Sequence, residues 1–167
     1  MMDGKTKKNL TGEEKKRLKE KETERMDIEK LLKEGKTIQI QPQGYSMYPL
    51  LFPGRDAVQI EKTDITKVKR GDVLLYRRKE GILVLHRVYR RKKDGLYMVG
   101  DNQTEIEGPL ALSQVRGKMI AVIRNGKSFS TGNPLYVIFS RIWLILRPFR
   151  PAISKIIHKV HPFRDTN

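Results

Sequence analysis

The 167-residue chain contains no cysteine, which removes disulfides, thiolate nucleophiles and cysteine-ligated metals together and leaves the redox compartment open. Any nucleophile must therefore carry oxygen or nitrogen. Histidine is scarce at three residues and tryptophan occurs once, so a general base has few candidates. Long hydrophobic runs are also missing. The most apolar segment, Leu135–Leu146, is about a dozen residues long with Arg141 inside it, short of the ~20 that a helix needs to cross a bilayer. The first residues hold no apolar core of a signal peptide or anchor. Acidic residues are outnumbered 19 to 35 by Lys and Arg, a formal charge of +16, and such an excess favours an anionic partner.

The length suits one compact domain with appendages. Residues 1–36 mix 12 basic with 9 acidic groups, 37–132 carry 17 and 9, and 133–167 carry 6 and 1. The C-terminal part is thus basic and apolar at once, which fits an anionic membrane surface better than a nucleic-acid groove. The expected domains are a charged leader and helix over 1–36, a β domain over 37–132, and a helical tail over 133–167.

Thr11-x-x-Glu14 is a capping-box pattern opening a Lys/Glu-rich helix that closes at Gly35. Its apolar positions are Leu18, Met26, Ile28, Leu31 and Leu32, so only its last two turns can dock on a core. From Thr37 the period changes to that of strands, with short Val/Ile/Leu/Tyr runs at 37–41, 56–60, 72–76, 82–89, 96–99 and 117–124. Asp94-Gly95 and Asn125-Gly126 are two-residue hairpin signals. The expected fold is mainly β, a small coiled antiparallel sheet or barrel, with an N-terminal helix and C-terminal apolar-basic helices. Asn133-Pro134 reads as an N-cap and first-turn proline of the first of these. Over 134–160 the tail is expected to lie on anionic lipid, with Tyr136 and Trp143 at headgroup depth and Arg147, Arg150, Lys155 and Lys159 on the phosphates. A helix packed on the barrel, or a dimer contact, is the competing expectation.

Chemistry is concentrated in Gln43-Gly44-Tyr45-Ser46-Met47-Tyr48-Pro49. A serine hydroxyl is a poor nucleophile until a base takes its proton. His158 and His161 sit among Lys, Pro and Phe in the tail. His86 differs, because it lies inside an apolar strand run where a polar ring needs a partner. A lone strand histidine is ordinarily a satisfied core residue, but a carboxylate follows at Gly100-Asp101-Asn102 that can hold its tautomer. Gly-Asp alone is weak, since Asp56 and Asp72 share that local chemistry and turn aspartates commonly cap their own backbone.

In order, Gly44-x-Ser46-Met47-x-Pro49-x-Leu51, Gly54-x-Asp56, Gly71-Asp72-Val73, Val84-Leu85-His86-Arg87-Val88, Gly100-Asp101-Asn102 and Val115-Arg116-Gly117-Lys118 resemble the successive boxes of the signal peptidase I family and its LexA-type relatives. The likeness spans roughly 37–124. Bacterial-type members use a lysine base, whereas His-Arg-Val here is similar to the endoplasmic-reticulum and archaeal type, which uses Ser and His with an aspartate. The resemblance implies that Ser46 is the nucleophile, His86 the base, and Asp101 the orienting acid. The family's second aspartate, six residues further on, is replaced by Glu107, which stands as the alternative acid. The sharp Gly44–Pro49 turn is expected to aim the Ser46 N–H inward as an oxyanion donor; Gly44 stands where some relatives carry a serine as second donor, and Met47 and Pro49 are expected to shape the turn and substrate cleft. The resemblance also implies a precursor polypeptide bound as an extra strand at an open β edge. Family members usually begin with a transmembrane helix; here the C-terminal tail is expected to take that role, peripherally or as an anchor. No cofactor or metal is called for, and nucleic acid is not favoured. The competing readings are a LexA-like self-cleaving regulator, for which ~36 leading residues are too few for a helix-turn-helix domain, and a non-catalytic membrane-binding module.

Overall fold

The architecture comes from a computed structural model that describes residues 12–13 and 28–150. The Thr11–Glu14 capping pattern, Leu18, Met26, His158, His161 and the 151–160 part of the tail lie outside the described residues. A helical stretch at 28–33, here α1, is followed by eight strands. These are β1 (Ile38–Ile40), β2 (Asp56–Glu61), β3 (Val73–Arg77), β4 (Leu83–Lys92), β5 (Gly95–Val99), β6 (Glu107–Leu110), β7 (Val115–Arg124) and β8 (Lys127–Ser130), and after them come helix α2 (Pro134–Ile145) and a short 3-10 turn (Arg147–Phe149). All pairings are antiparallel. The order β1-β2-β7-β3-β4-β5-β6, with β8 on β7, makes an open sheet and not a closed barrel.

Both faces of this sheet are covered, which explains why β3 reads as an unbroken apolar run. Val73, Leu74, Leu75 and Tyr76 are all buried, and strand geometry sends alternate side chains to opposite faces. Val73 and Leu75 join a cluster with Leu32, Met47, Leu51, Ile60 and Met119. Leu74 and Tyr76 join another with Val88, Leu96, Met98 and Leu110. Ile28 and Leu31 of α1 pack on the first cluster, as expected for a helix that can dock only by its last turns.

The two hairpins form, with one shift of register. Arg124 pairs Lys127, so Asn125 (φ 50°) and Gly126 (φ 75°) are the turn, both in the left-handed region that such turns demand. In the other, Lys92 pairs Gly95. The turn residues are therefore Lys93 and Asp94, and Gly95 belongs to β5.

Asn133 Oδ1 accepts from Leu135 N–H at 2.9 Å, capping α2 ahead of Pro134. The helix docks by the face that carries Ser140, Trp143 and Leu144. This corrects the expectation for Tyr136, Trp143 and Arg150. The Trp143 indole donates to the Asp101 carbonyl at 2.8 Å. The Tyr136 hydroxyl accepts from Arg87 at 3.4 Å. Arg150 is buried, donating to the Gly100 and Gln103 carbonyls at 2.7 Å each. All three face inward because buried backbone carbonyls and a buried guanidinium need partners. What faces outward instead is Leu135, Ile138, Phe139, Ile142, Ile145 and Phe149, from 49% exposed at Ile142 to 77% at Leu135.

Candidate active site

Residues 41–55 form the loop between β1 and β2 that carries Ser46. Its far end is held by a buried aspartate. Asp56 accepts from Phe52 N–H at 2.8 Å and from Arg55 and Arg124, and Arg124 also donates to the Leu50 carbonyl at 3.0 Å. Burial opposes the Asp56 charge, but the two guanidiniums prevail and hold its carboxyl far below the usual range. The near end turns at Gly44 (φ 77°), where a side chain would have room but an L-residue would be strained. Met47 is buried in the first core cluster and anchors the turn from below, while Pro49 is half-buried within it.

The middle of the loop is tied to the turn after β5. Asn102 N–H donates to the Ser46 carbonyl at 2.8 Å. A Cβ added at Gly100 would lie 2.6 Å from that same carbonyl oxygen, so only glycine lets the two segments touch. Gly100→Ala is expected to cost about 1–3 kcal/mol, read as a lower urea midpoint with unchanged slope. Unaltered stability would mean that the loop yields freely at this contact.

Ser46 and His86 line one cavity of about 1020 Å³. Its walls come from Ile28, from Gln39 to Gly44 and Met47, from Leu75 and Arg78, from 83–86 of β4, and from Gln103. No hydrogen bond joins the Ser46 hydroxyl to the His86 ring among the described residues, and unliganded catalytic pairs commonly tighten only around substrate. The Ser46 N–H likewise has no acceptor among them. Two strand edges border this space. Among the described residues, β1 pairs only with β2, and β4 pairs with β5 only from Arg87 onward, leaving its 83–86 stretch bonded on the β3 side alone.

Behind His86 stands a chain of polar groups. The Tyr76 hydroxyl lies 3.1 Å from His86 Nδ1 and donates to Glu107 Oε2 at 2.6 Å. Glu107 also accepts from Arg78 Nε at 2.7 Å and Nη2 at 2.6 Å. Glu107 Oε2 and His86 Nδ1 are 3.7 Å apart, too far for a direct hydrogen bond. Burial opposes the Glu107 charge, yet Arg78 and Tyr76 hold its carboxyl below the ordinary value. Burial also dominates at His86, pushing the imidazolium down to about 4, with Glu107 opposing the shift and Arg78 reinforcing it.

Asp101 is elsewhere. Its two oxygens accept from Arg87 Nε at 2.8 Å and Nη2 at 2.7 Å, and both side chains are fully buried. Arg87 spends a further N–H on the Gly71 carbonyl at 2.7 Å. The expectation that Asp101 orients His86 is therefore corrected: the carboxylate brought to His86 is Glu107. The cause is strand alternation, because His86 and Arg87 are neighbours on β4 and point to opposite faces. Asp72, in the other Gly-Asp pair, accepts from Lys69 N–H at 2.9 Å and closes a local turn. Sequence reasoning missed Tyr76 and Arg78, since a tyrosine in an apolar strand carries the pattern of core and no motif marks its hydroxyl.

No protein-family model matches the chain, and no curated protein matches it at a significant level.

Proposed function

We propose that the protein is a serine endopeptidase of the signal peptidase type, acting at an anionic membrane surface on a peptide bound as an added strand. The observation that carries this reading is the shared cavity, in which Ser46 faces the same space as a buried, neutral histidine tied from behind to a carboxylate. Ser46 Oγ attacks the scissile carbonyl as His86 takes its proton, and His86 returns that proton to the leaving amine. The Ser46 N–H supplies one oxyanion donor, and the Gln103 side-chain amide on the same wall is open to supply another. The free edges of β1 and of 83–86 offer main-chain bonds to an extended segment. Glutamines and apolar side chains dominate the lining, and its Arg78 is already engaged by Glu107, so an uncharged segment suits the cleft.

Membrane contact is assigned to the outer face of α2. Leu135, Ile138, Ile142 and Ile145 recur at three- and four-residue steps along it, and Phe149, in the turn that follows, is exposed as well. Beside that stripe three guanidiniums gather round Tyr89, those of Arg147 at 5.1 Å and of Arg70 and Arg90 at 5.7 Å from its ring centre. Apolar stripe and cationic cluster together match an anionic bilayer surface. No described helix is long and apolar enough to cross a membrane.

Peptides with small residues before the cleaved bond, offered on anionic vesicles, should be cut by the wild type and left whole by Ser46→Ala. Cutting that survives Ser46→Ala removes the protein from this class. In sedimentation, the chain should pellet with phosphatidylglycerol-containing vesicles, release as salt rises, and lose binding in Ile138→Glu/Ile142→Glu. Indifference to vesicle charge, or a dimer abolished by the same substitutions, overturns the membrane assignment.

A further inference from the structure

A hydroxyl has one proton to give, and at Tyr76 two acceptors compete for it. Glu107 is ionised and acceptor-only, lies at 2.6 Å, and is pinned by Arg78. His86 Nδ1 is neutral and lies at 3.1 Å. The charged, shorter contact takes the proton. Once Tyr76 donates to Glu107, its oxygen can only accept from the imidazole, which requires a hydrogen on Nδ1.

Building on the peptidase reading, we infer that Tyr76 is a positioning residue: by handing its proton to Glu107 it fixes the hydrogen of neutral His86 on Nδ1 and leaves Nε2 as the base. Which imidazole nitrogen is protonated is set by the bond that the other makes. Of the two, only Nδ1 has a hydrogen-bond partner among the described residues. When His86 takes the Ser46 proton, no further proton moves. The imidazolium keeps its Nδ1–H on the Tyr76 oxygen, and the Glu107 charge acts across that oxygen. Tyr76 stays protonated throughout, because burial and the Glu107 charge both raise its phenol above the ordinary value. The tyrosine thus stands where a carboxylate ordinarily touches a triad histidine directly.

The two alterations of this chain have different signatures. In Tyr76→Phe, Nδ1–H loses its acceptor and the tautomer is no longer fixed. In Glu107→Gln, the amide keeps an oxygen toward Arg78 and turns its NH2 to the Tyr76 oxygen. That reverses the hydroxyl, which then donates to Nδ1 and moves the ring hydrogen to Nε2.

Two-bond 1H–15N correlation spectra of the full chain at pH 7, with His86 assigned by its loss in His86→Gln, read this directly. The wild type should show the Nδ1–H form, Tyr76→Phe a mixture, and Glu107→Gln the Nε2–H form. A wild-type Nε2–H ring, or Nδ1–H retained in both variants, overturns the inference. If Tyr76→Phe fails to fold, the wild-type and Glu107→Gln spectra decide. These spectra require no substrate, so they separate failure of the relay from failure of the peptidase reading. Where cleavage is measured, Tyr76→Phe should lower kcat by roughly 10- to 100-fold at unchanged KM. An equal loss appearing only in KM would mean that Tyr76 shapes the cleft without orienting the base.

Discussion

Asp101→Ala should destabilise the protein by about 3–5 kcal/mol, the loss expected when one member of a buried ion pair is removed and the other charge stays behind. Arg87 and Asp101 are both fully buried and joined by two hydrogen bonds. Burial alone would drive the Arg87 guanidinium toward its neutral form, and Asp101 outweighs it, raising the group above its usual value. Without the carboxylate, that charge keeps only the Gly71 carbonyl and the Tyr136 hydroxyl among the described residues. The turn holding Asn102 against the Ser46 carbonyl is part of the same neighbourhood, so cleavage should fall with stability. Arg87→Met/Asp101→Leu separates the two effects, since replacing a buried pair by apolar side chains is often close to neutral. Chemical denaturation of the single and double variants measures it. Recovered stability with recovered cleavage assigns Asp101 to structure. Undiminished stability in Asp101→Ala with cleavage lost would instead return Asp101 to the site.

Strands buried on both faces are legible as apolar runs, and those of β2, β3, β4, β5 and β7 show themselves so. β6 and β8 do not. Glu107-Gly108-Pro109-Leu110 and Lys127-Ser128-Phe129-Ser130 have little local strand propensity, and they are edge strands held by registers such as Met98 to Glu107 and Ala121 to Ser130. His86 stands out because a polar ring inside an apolar strand run needs a partner, whereas a turn serine is common and Ser46 stands out through the boxes around it and the base that follows. The acid is illegible for a geometric reason. Arg87 needs an anion and His86 a hydrogen-bonding partner backed by one, each faces a different side of β4, and the order of Asp101 and Glu107 along the chain does not say which side either reaches. Tyr76 is hidden more deeply, because its value to the site lies in one hydroxyl at the meeting of β3, β4 and β6. The apolar character of α2 and its Asn133-Pro134 start are legible, whereas the inward turn of Trp143, Tyr136 and Arg150 depends on carbonyls and side chains that only the folded chain brings near.

Replacing either Ser46 or His86 by alanine should lower cleavage by at least about 10³-fold, and replacing both should cost little more than replacing one. Nucleophile and base act as a unit: without the base the hydroxyl keeps its proton, and without the hydroxyl the base has nothing to deprotonate. The folded protein also predicts where pH intervenes. Buried His86 titrates at about 4 against about 6.5 for an exposed histidine. Only the neutral ring can accept the Ser46 proton, so activity should hold through pH 6 and fall as pH drops through about 4. A limb centred near 6.5 would mean that His86 is not the base or is not buried as the fold has it. Stability follows from the same shift. The folded state resists protonating His86 while the unfolded chain accepts a proton readily, so this contribution is complete above about pH 6.5. It is lost as pH falls from there toward 4, by roughly 3 kcal/mol in total. Urea midpoints between pH 7 and 4 should therefore decline in the wild type, and His86→Gln should remove that portion of the decline. A slope unaltered by His86→Gln would place the pH sensitivity in other groups and leave the low value for His86 without support.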